Sequence, residues 1–114
     1  MKKLLLVVAA LFTQSAWSQG VTSDKILLGQ SVALTGPAAE LGIQMRNGAK
    51  TYFDHINAQG GVHGRKIELI AEDSVNPSTA VTKAQKLIEQ DKVTCIIGEI
   101  SSASALAIGE QALR

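Results

Sequence analysis

The hydrophobic positions of this chain alternate between short apolar runs and longer segments in which apolar residues recur every three or four positions. Residues 26–34 are mostly apolar without strict alternation, which is typical of a β-strand covered on both faces. A helix is predicted from about Glu40, because an apolar stripe with helical spacing continues until Gly60-Gly61 ends it. The stripe consists of Leu41, Met45, Ala49, Tyr52, Phe53 and Ile56.

The next apolar run, residues 66–72, is interrupted by charges. Apolar and charged side chains alternate along it, which indicates a strand at a sheet edge with one more accessible face. The carboxylate pair Glu72-Asp73 at its end is interpreted as a solvated strand end. This strand is therefore expected at the margin of the sheet.

A second helix is predicted to begin at Asn76-Pro77, with Asn as the N-cap and Pro at the first helical position. Its apolar face recurs at helical spacing as far as about residue 90. Residues 93–97 then form a continuously apolar third strand, and a third helix begins near Ser102. The face of the second helix consists of Ala80, Val81, Ala84, Leu87 and Ile88.

The repeated strand–helix order predicts an α/β domain with a three-layer, Rossmann-like parallel sheet and right-handed crossovers. Because the second strand carries the charges and the third is apolar throughout, the simplest strand order is 2-1-3. The connections then leave strand 1 in opposite directions, which creates a switch point where ligands bind at the carboxyl ends of the strands. Residues 34–40 and 98–104 are the two loops at this point.

The loop at residues 98–104 leads into a helix start that carries three serines. A helix N-terminus exposes unpaired N–H groups and the positive end of the helix dipole, and both favour an anion. A serine hydroxyl there either caps the helix or binds a ligand carboxylate, and the sequence leaves both roles open. The candidate ligand-binding residues in the two loops are Thr35, Glu99, Ser101 and Ser102.

Composition and charge exclude several classes of function. The 114 residues are 46% hydrophobic and 18% charged, as in one globular domain. Without the first 18 residues the formal charge is −1, and no basic patch points to nucleic acid or to an anionic membrane. No dinucleotide fingerprint follows the first strand, His55 and His63 lack metal-ligand spacing, and Ser102 lacks a nucleophile elbow. We expect no cofactor, no metal and no catalytic residue, and a buried Cys95.

Residues 1–18 have the features of a secretory signal peptide. Lys2-Lys3 precedes an unbroken apolar run that is too short to span a bilayer. Ala16-Trp17-Ser18 places small residues at positions −3 and −1 of a cleavage site. We therefore expect cleavage after Ser18, a periplasmic location and no membrane insertion after cleavage.

Three segments together resemble a known family: LTGPAAELG at 34–42, MRNGA at 45–49 and INAQGGVHGRKIEL at 56–69. They are similar to type I periplasmic solute-binding proteins, in particular the leucine/isoleucine/valine-binding family of ABC importers. The resemblance implies a bilobal fold that closes on a ligand, with residues 19–114 as the first part of lobe one. It places Ser102 where family members have a serine that binds the α-carboxylate of the amino acid, and Leu41 where an aromatic residue often lines the cleft.

The function that this resemblance implies is the solute-binding component of an ABC importer. Its ligand would be a branched-chain or related amino acid, or a small amide, and its protein partners would be the permease subunits. A ligand-sensing regulatory protein of the same fold and a truncated, nonfunctional remnant are the alternatives. Family members are several times longer, so residues 19–114 alone are expected to bind amino acids with millimolar affinity at best.

Overall fold

The computed structural model describes residues 18–113 of the chain. Residues 1–17, on which the signal-peptide prediction rests, lie outside the described part. Among the described helices, none has both the length and the apolar character needed to cross a membrane. The elements are β1 (Lys25–Val32), α1 (Ala39–Ala58), β2 (Lys66–Asp73), α2 (Pro77–Glu89), β3 (Cys95–Ile96) and α3 (Ser102–Ala112).

The strands form a parallel sheet with the order β2-β1-β3, which confirms the predicted 2-1-3 order and the edge position of β2. β1 and β2 pair along their whole length, from Lys25 beside Lys66 to Val32 beside Asp73. β1 ends two residues earlier than predicted, because the Leu34 N–H leaves the ladder and donates to a side chain of β2. The central strand therefore connects directly to the loop that precedes α1.

β3 is shorter than the strand predicted over residues 93–97. It pairs with β1 only at Cys95 and Ile96, and single hydrogen bonds continue the contact on either side. Gly98 follows with a φ of 47°, which turns the chain away from the sheet. As a result, the sheet fixes only a short length of backbone ahead of the serine-containing turn.

Cys95 is exposed, so the prediction that it is buried was wrong. It lies on β3, whose outer side has no partner strand among residues 18–113. An open groove of about 670 Å³ follows this side of the strand, and Cys95 lines it together with residues of α3. An apolar run predicts burial only where a neighbouring element covers both sides of the strand.

The core lies between the sheet and the pair of helices α2 and α3. Ala80 and Ala84 of α2 pack with Ile108 of α3, and Ile96 of β3 lies against them. Leu87 is fully buried beneath Gly29 of β1, close to where a Cβ of that glycine would be. The predicted apolar face of α2 is therefore confirmed. Its start is confirmed too, because the Asn76 side chain accepts the Thr79 N–H in a capping box.

The predicted apolar stripe of α1 is only partly buried. Phe53 is half-buried, but Leu41 and Tyr52 are 66% and 61% exposed. The buried position is Gly42, because a Cβ there would lie 1.7 Å from the Ala33 carbonyl oxygen. The helix therefore packs against the strand through Gly42, where the two backbones approach closely, and Leu41 beside it remains exposed.

Candidate functional site

The loop between β1 and α1 is held by a carboxylate at the end of β2. Asp73 Oδ1 accepts the Leu34 N–H at 2.7 Å and the Thr35 N–H at 3.2 Å. Asp73 Oδ2 accepts the Thr35 hydroxyl at 2.6 Å. The pKa of Asp73 is lowered from its usual value. The hydrogen bond from the Thr35 hydroxyl is the largest cause, and the bond from the Leu34 N–H is the next. Thr35 is thereby fixed at the carboxyl end of β1, with its hydroxyl proton used and its oxygen lone pairs directed away from Asp73.

The turn after β3 divides its serines between two roles. Ser101 is the N-cap of α3, and its Oγ accepts the Ser104 N–H at 3.3 Å. Ser102 and Ala103 are exposed, and neither the Ser102 hydroxyl nor their two N–H groups donates a hydrogen bond within the described residues. The Ser102 hydroxyl and the N–H groups of Ser102 and Ala103 are named here the donor set. These three donors point out of the first turn of a helix.

Two opposing charges act at this helix start: the helix dipole favours an anion, whereas the Glu99 carboxylate, which accepts the Ile100 and Ser101 N–H groups, repels one. α3 has 11 residues and carries no acidic residue in its first turn. Its first N–H groups therefore carry the positive end of the helix dipole, equivalent to about half a unit charge. A carboxylate placed against the donor set would accept charge-assisted hydrogen bonds. The arrangement can bind an acid group.

The two candidate loops share one edge of the sheet because β1 and β3 are parallel neighbours. A Cβ at Gly98 would lie 3.0 Å from Met45 Sδ, so the turn after β3 begins against α1. Leu41 lies one helical turn before Met45 and is largely exposed. This edge thus carries the residues predicted for a ligand site, Thr35, Leu41, Glu99, Ser101 and Ser102, on two adjoining segments.

Glu99 is turned toward the protein. Its Oε1 accepts the Ile100 N–H at 2.8 Å and the Ser101 N–H at 3.2 Å, and its Oε2 accepts the Ser74 hydroxyl at 3.1 Å.

The interpretation of Glu72-Asp73 as a solvated strand end was wrong, because Asp73 accepts three hydrogen bonds from the loop after β1 and Glu72 pairs with Lys83 and Lys86. Asp73 and Ser74 were not predicted as site residues. The available signal was their place directly at the carboxyl end of a strand that borders the switch point.

Substituting Asp73 by asparagine is expected to destabilise the fold by about 1–2 kcal/mol, because an amide nitrogen cannot accept the Thr35 hydroxyl. Since the pKa of Asp73 is lowered in the folded state, its stabilising effect is complete above about pH 4 and is lost as the pH falls through the lowered pKa. Urea unfolding between pH 7 and pH 2 should therefore show a smaller acid loss in Asp73→Asn than in the wild type.

The matched control is Asp54→Asn on the exposed face of α1, where the carboxylate pairs with Lys50. We expect a change within about 0.5 kcal/mol and an acid loss like that of the wild type. An Asp73→Asn variant with wild-type stability and an unaltered acid profile would contradict the role of Asp73 in the loop.

No group of three or more His, Cys, Asp or Glu side chains is arranged to hold a metal ion in the part of the chain that the structure describes. The sequence model of a family described as periplasmic binding protein matches residues 25–114. Relatives include the Leu/Ile/Val-binding protein BraC3 of Rhizobium johnstonii, 33% identical over 94% of this chain and 29% of that protein. The leucine-specific-binding protein of Salmonella typhimurium is 33% identical over 91% of this chain and 28% of that protein.

Solved structures agree with these relatives. A branched-chain amino acid transporter substrate-binding protein of Streptococcus pneumoniae, solved in complex with isoleucine, has a TM-score of 0.76 and 28% identity over 79% of this chain and 26% of that chain. A fatty acid ABC transporter substrate-binding protein of Thermomonospora curvata has a TM-score of 0.68 and 28% identity over 82% of this chain and 24% of that chain. These similarities confirm the α/β fold class.

The four similar proteins are binding proteins and not enzymes. The chain spans less than a third of the length of each of them. Because the family model covers most of the sequence, including every strand and helix described above, the chain belongs to the periplasmic binding protein family.

Proposed function

We propose that the protein carrying this chain is the extracytoplasmic solute-binding component of an ABC importer, and that it binds a branched-chain or related amino acid. The observation that carries the proposal is the donor set of Ser102 and Ala103, exposed at the first turn of α3 beside the loop that follows β1. Three hydrogen-bond donors in the first turn of a helix complement the α-carboxylate that every amino acid carries. The names of the relatives and of the isoleucine-bound structure support the branched-chain class.

Each candidate residue has a role in this proposal. The Ser102 hydroxyl donates to the ligand carboxylate, and Thr35 lines the opposite loop. Leu41 offers an exposed apolar surface to the ligand side chain. Ser101 and Glu99 support the site without contacting the ligand, because their side-chain oxygens already accept N–H groups of the turn.

The free energy of these contacts alone is too small for micromolar binding. Three charge-assisted hydrogen bonds contribute roughly 4.5–9 kcal/mol, while association costs an estimated 4–15 kcal/mol. A micromolar complex requires about −8 kcal/mol. We therefore propose that residues 19–114 alone bind an amino acid only at millimolar concentration or above. A protein as long as the relatives would add contacts and exclude water by closing on the ligand.

We further propose periplasmic export through residues 1–18, with cleavage after Ser18 and the permease of the importer as protein partner. The contacts of the folded part begin close to this position, since the Ser18 carbonyl accepts the Val21 N–H at 3.1 Å. Gln19, the first residue after it, donates through Nε2 to the Ile88 carbonyl at 3.0 Å and to the Val93 carbonyl at 3.1 Å. The mature chain would thus begin with a residue that is already attached to the fold.

Isothermal titration calorimetry tests the proposal on the mature protein at its natural length. The panel is L-leucine, L-isoleucine and L-valine, with octanoate as a carboxylate that lacks the ammonium group. We expect a micromolar Kd for at least one of the three amino acids and none for octanoate. Absence of binding to all three amino acids would refute the proposed ligand class. Loss of uptake of the bound amino acid in a deletion strain would separate transport from ligand sensing.

A further inference from the structure

One hydrogen bond connects the ends of the two outer strands of the sheet. The hydroxyl of Ser74, the residue after β2, donates to Glu99 Oε2 in the turn after β3 at 3.1 Å. Because β1 lies between these strands, their ends are separated by about 10 Å, twice the strand spacing. The glutamate side chain, the serine side chain and the 3.1 Å hydrogen bond between them together span this gap, which is too wide for direct backbone contact. We refer to this connection as the Ser74–Glu99 clasp.

The Ser74 end of the clasp is rigid. Ser74 is 3% exposed, and its N–H donates to the Val32 carbonyl at 3.0 Å, which fixes its backbone to the central strand. A buried hydroxyl that donates to a carboxylate makes a charge-assisted hydrogen bond, stronger than a bond between neutral groups. Ser74 is therefore an anchor that belongs to the sheet.

The Glu99 end of the clasp holds the turn. Glu99 Oε1 accepts the N–H groups of Ile100 and Ser101, the two residues immediately before Ser102. One carboxylate oxygen is thus bonded to the turn and the other to the sheet. Since β3 pairs with β1 at only two positions, its ladder leaves the orientation of this turn to other contacts.

We infer that Ser74 and Glu99 are positioning residues that orient the donor set of Ser102 and Ala103 toward the ligand. This inference rests on the proposed function and names the residues that make its site rigid. Glu99 also takes the N–H groups of Ile100 and Ser101, so that an incoming carboxylate meets free donors only at Ser102 and Ala103. A turn held in advance loses less entropy when the ligand binds.

The test compares three variants of the mature natural-length protein. Ser74→Ala removes the hydroxyl, and Ser74→Thr retains one. Ser31→Ala is the matched control, because Ser31 is fully buried and its hydroxyl has no partner in the described part of the chain. We expect the affinity for L-leucine to fall about tenfold in Ser74→Ala, equivalent to about 1.4 kcal/mol, and to change less than about threefold in the other two variants.

A second measurement separates positioning from general loss of stability. Amide hydrogen exchange of Ile100 and Ser101, followed by NMR in the ligand-free protein, should accelerate at least about tenfold in Ser74→Ala while amides of β1 keep their rates. If Ser74→Ala does not fold, Glu99→Gln replaces it in this experiment. The neutral amide oxygen of glutamine is a weaker acceptor for the Ile100 and Ser101 N–H groups, so hydrogen exchange of these two amides should accelerate in the same way.

The possible results are distinct. Wild-type affinity in Ser74→Ala, or unchanged exchange at Ile100 and Ser101, overturns the clasp. If the wild-type protein binds none of the three amino acids, the proposed function fails, and the exchange rates still decide whether the clasp holds the turn. Weakened affinity that Ser74→Thr restores, together with accelerated exchange in Ser74→Ala, supports the inference.

Discussion

Replacing Ser102 with alanine is expected to weaken amino acid binding by the natural-length protein roughly 10- to 100-fold. The substitution removes one charge-assisted hydrogen bond to the ligand carboxylate, of about 1.5–3 kcal/mol, and each 1.4 kcal/mol is a factor of ten. The stability of the free protein should hardly change, because Ser102 is exposed and the cap of α3 is provided by Ser101. Calorimetric titration with L-leucine and a thermal melt of the same sample measure both quantities.

Ser23→Ala is the control for this experiment, because Ser23 is also exposed but precedes β1 at the opposite edge of the sheet. It should leave both affinity and melting temperature unchanged. A Ser102→Ala protein that binds its ligand with wild-type affinity would remove Ser102 from the site. A large fall in melting temperature would instead show that Ser102 has a structural role.

Replacing Gly42 with alanine is expected to destabilise the fold by about 3 kcal/mol, although alanine is the better helix former. A Cβ at this position would lie 1.7 Å from the Ala33 carbonyl oxygen and 3.2 Å from a methyl group of Val32. Both neighbours are buried, so α1 must move away from the sheet to admit the methyl group. Equilibrium unfolding in urea measures the loss, and the displaced α1 should also weaken ligand binding through Leu41.

The same helix supplies the control. A Cβ at Gly48 would meet nothing within 4 Å, so Gly48→Ala should stabilise the protein by up to about 1 kcal/mol through helix propensity alone. The two substitutions are chemically identical and should have opposite signs. A Gly42→Ala variant as stable as Gly48→Ala would show that α1 does not pack against Ala33 as described.

Local sequence signals predicted the elements and their order well. The charged alternation of β2 placed it at the sheet edge, and Asn76-Pro77 marked the first turn of α2. These signals succeed because alternation, capping and periodicity act within a few residues. The exposure of Cys95 and of Leu41 was not predictable in the same way. It depends on which element covers β3 and on the backbone contact at Gly42, and neither is encoded in local pattern.

The candidate site shows the same division. The helix start after β3 and its serines were apparent from the sequence, because small polar residues followed a strand and preceded a helix. Which serine caps the helix was not apparent, since that depends on the backbone angles of Ser101. Asp73 bonds to Thr35 from 38 positions away, and Ser74 bonds to Glu99 from 25 positions away. Contacts over such separations follow only once the strand order and register are known.

We propose that the donor set of Ser102 and Ala103 binds the carboxylate of an amino acid. The most direct test is a crystal structure of the mature natural-length protein with bound L-leucine, or with whichever branched-chain amino acid it binds best. We expect a carboxylate oxygen about 2.6–3.2 Å from Ser102 Oγ and from the Ala103 nitrogen. A ligand whose carboxylate lies elsewhere, with the donor set still open to solvent, would contradict it.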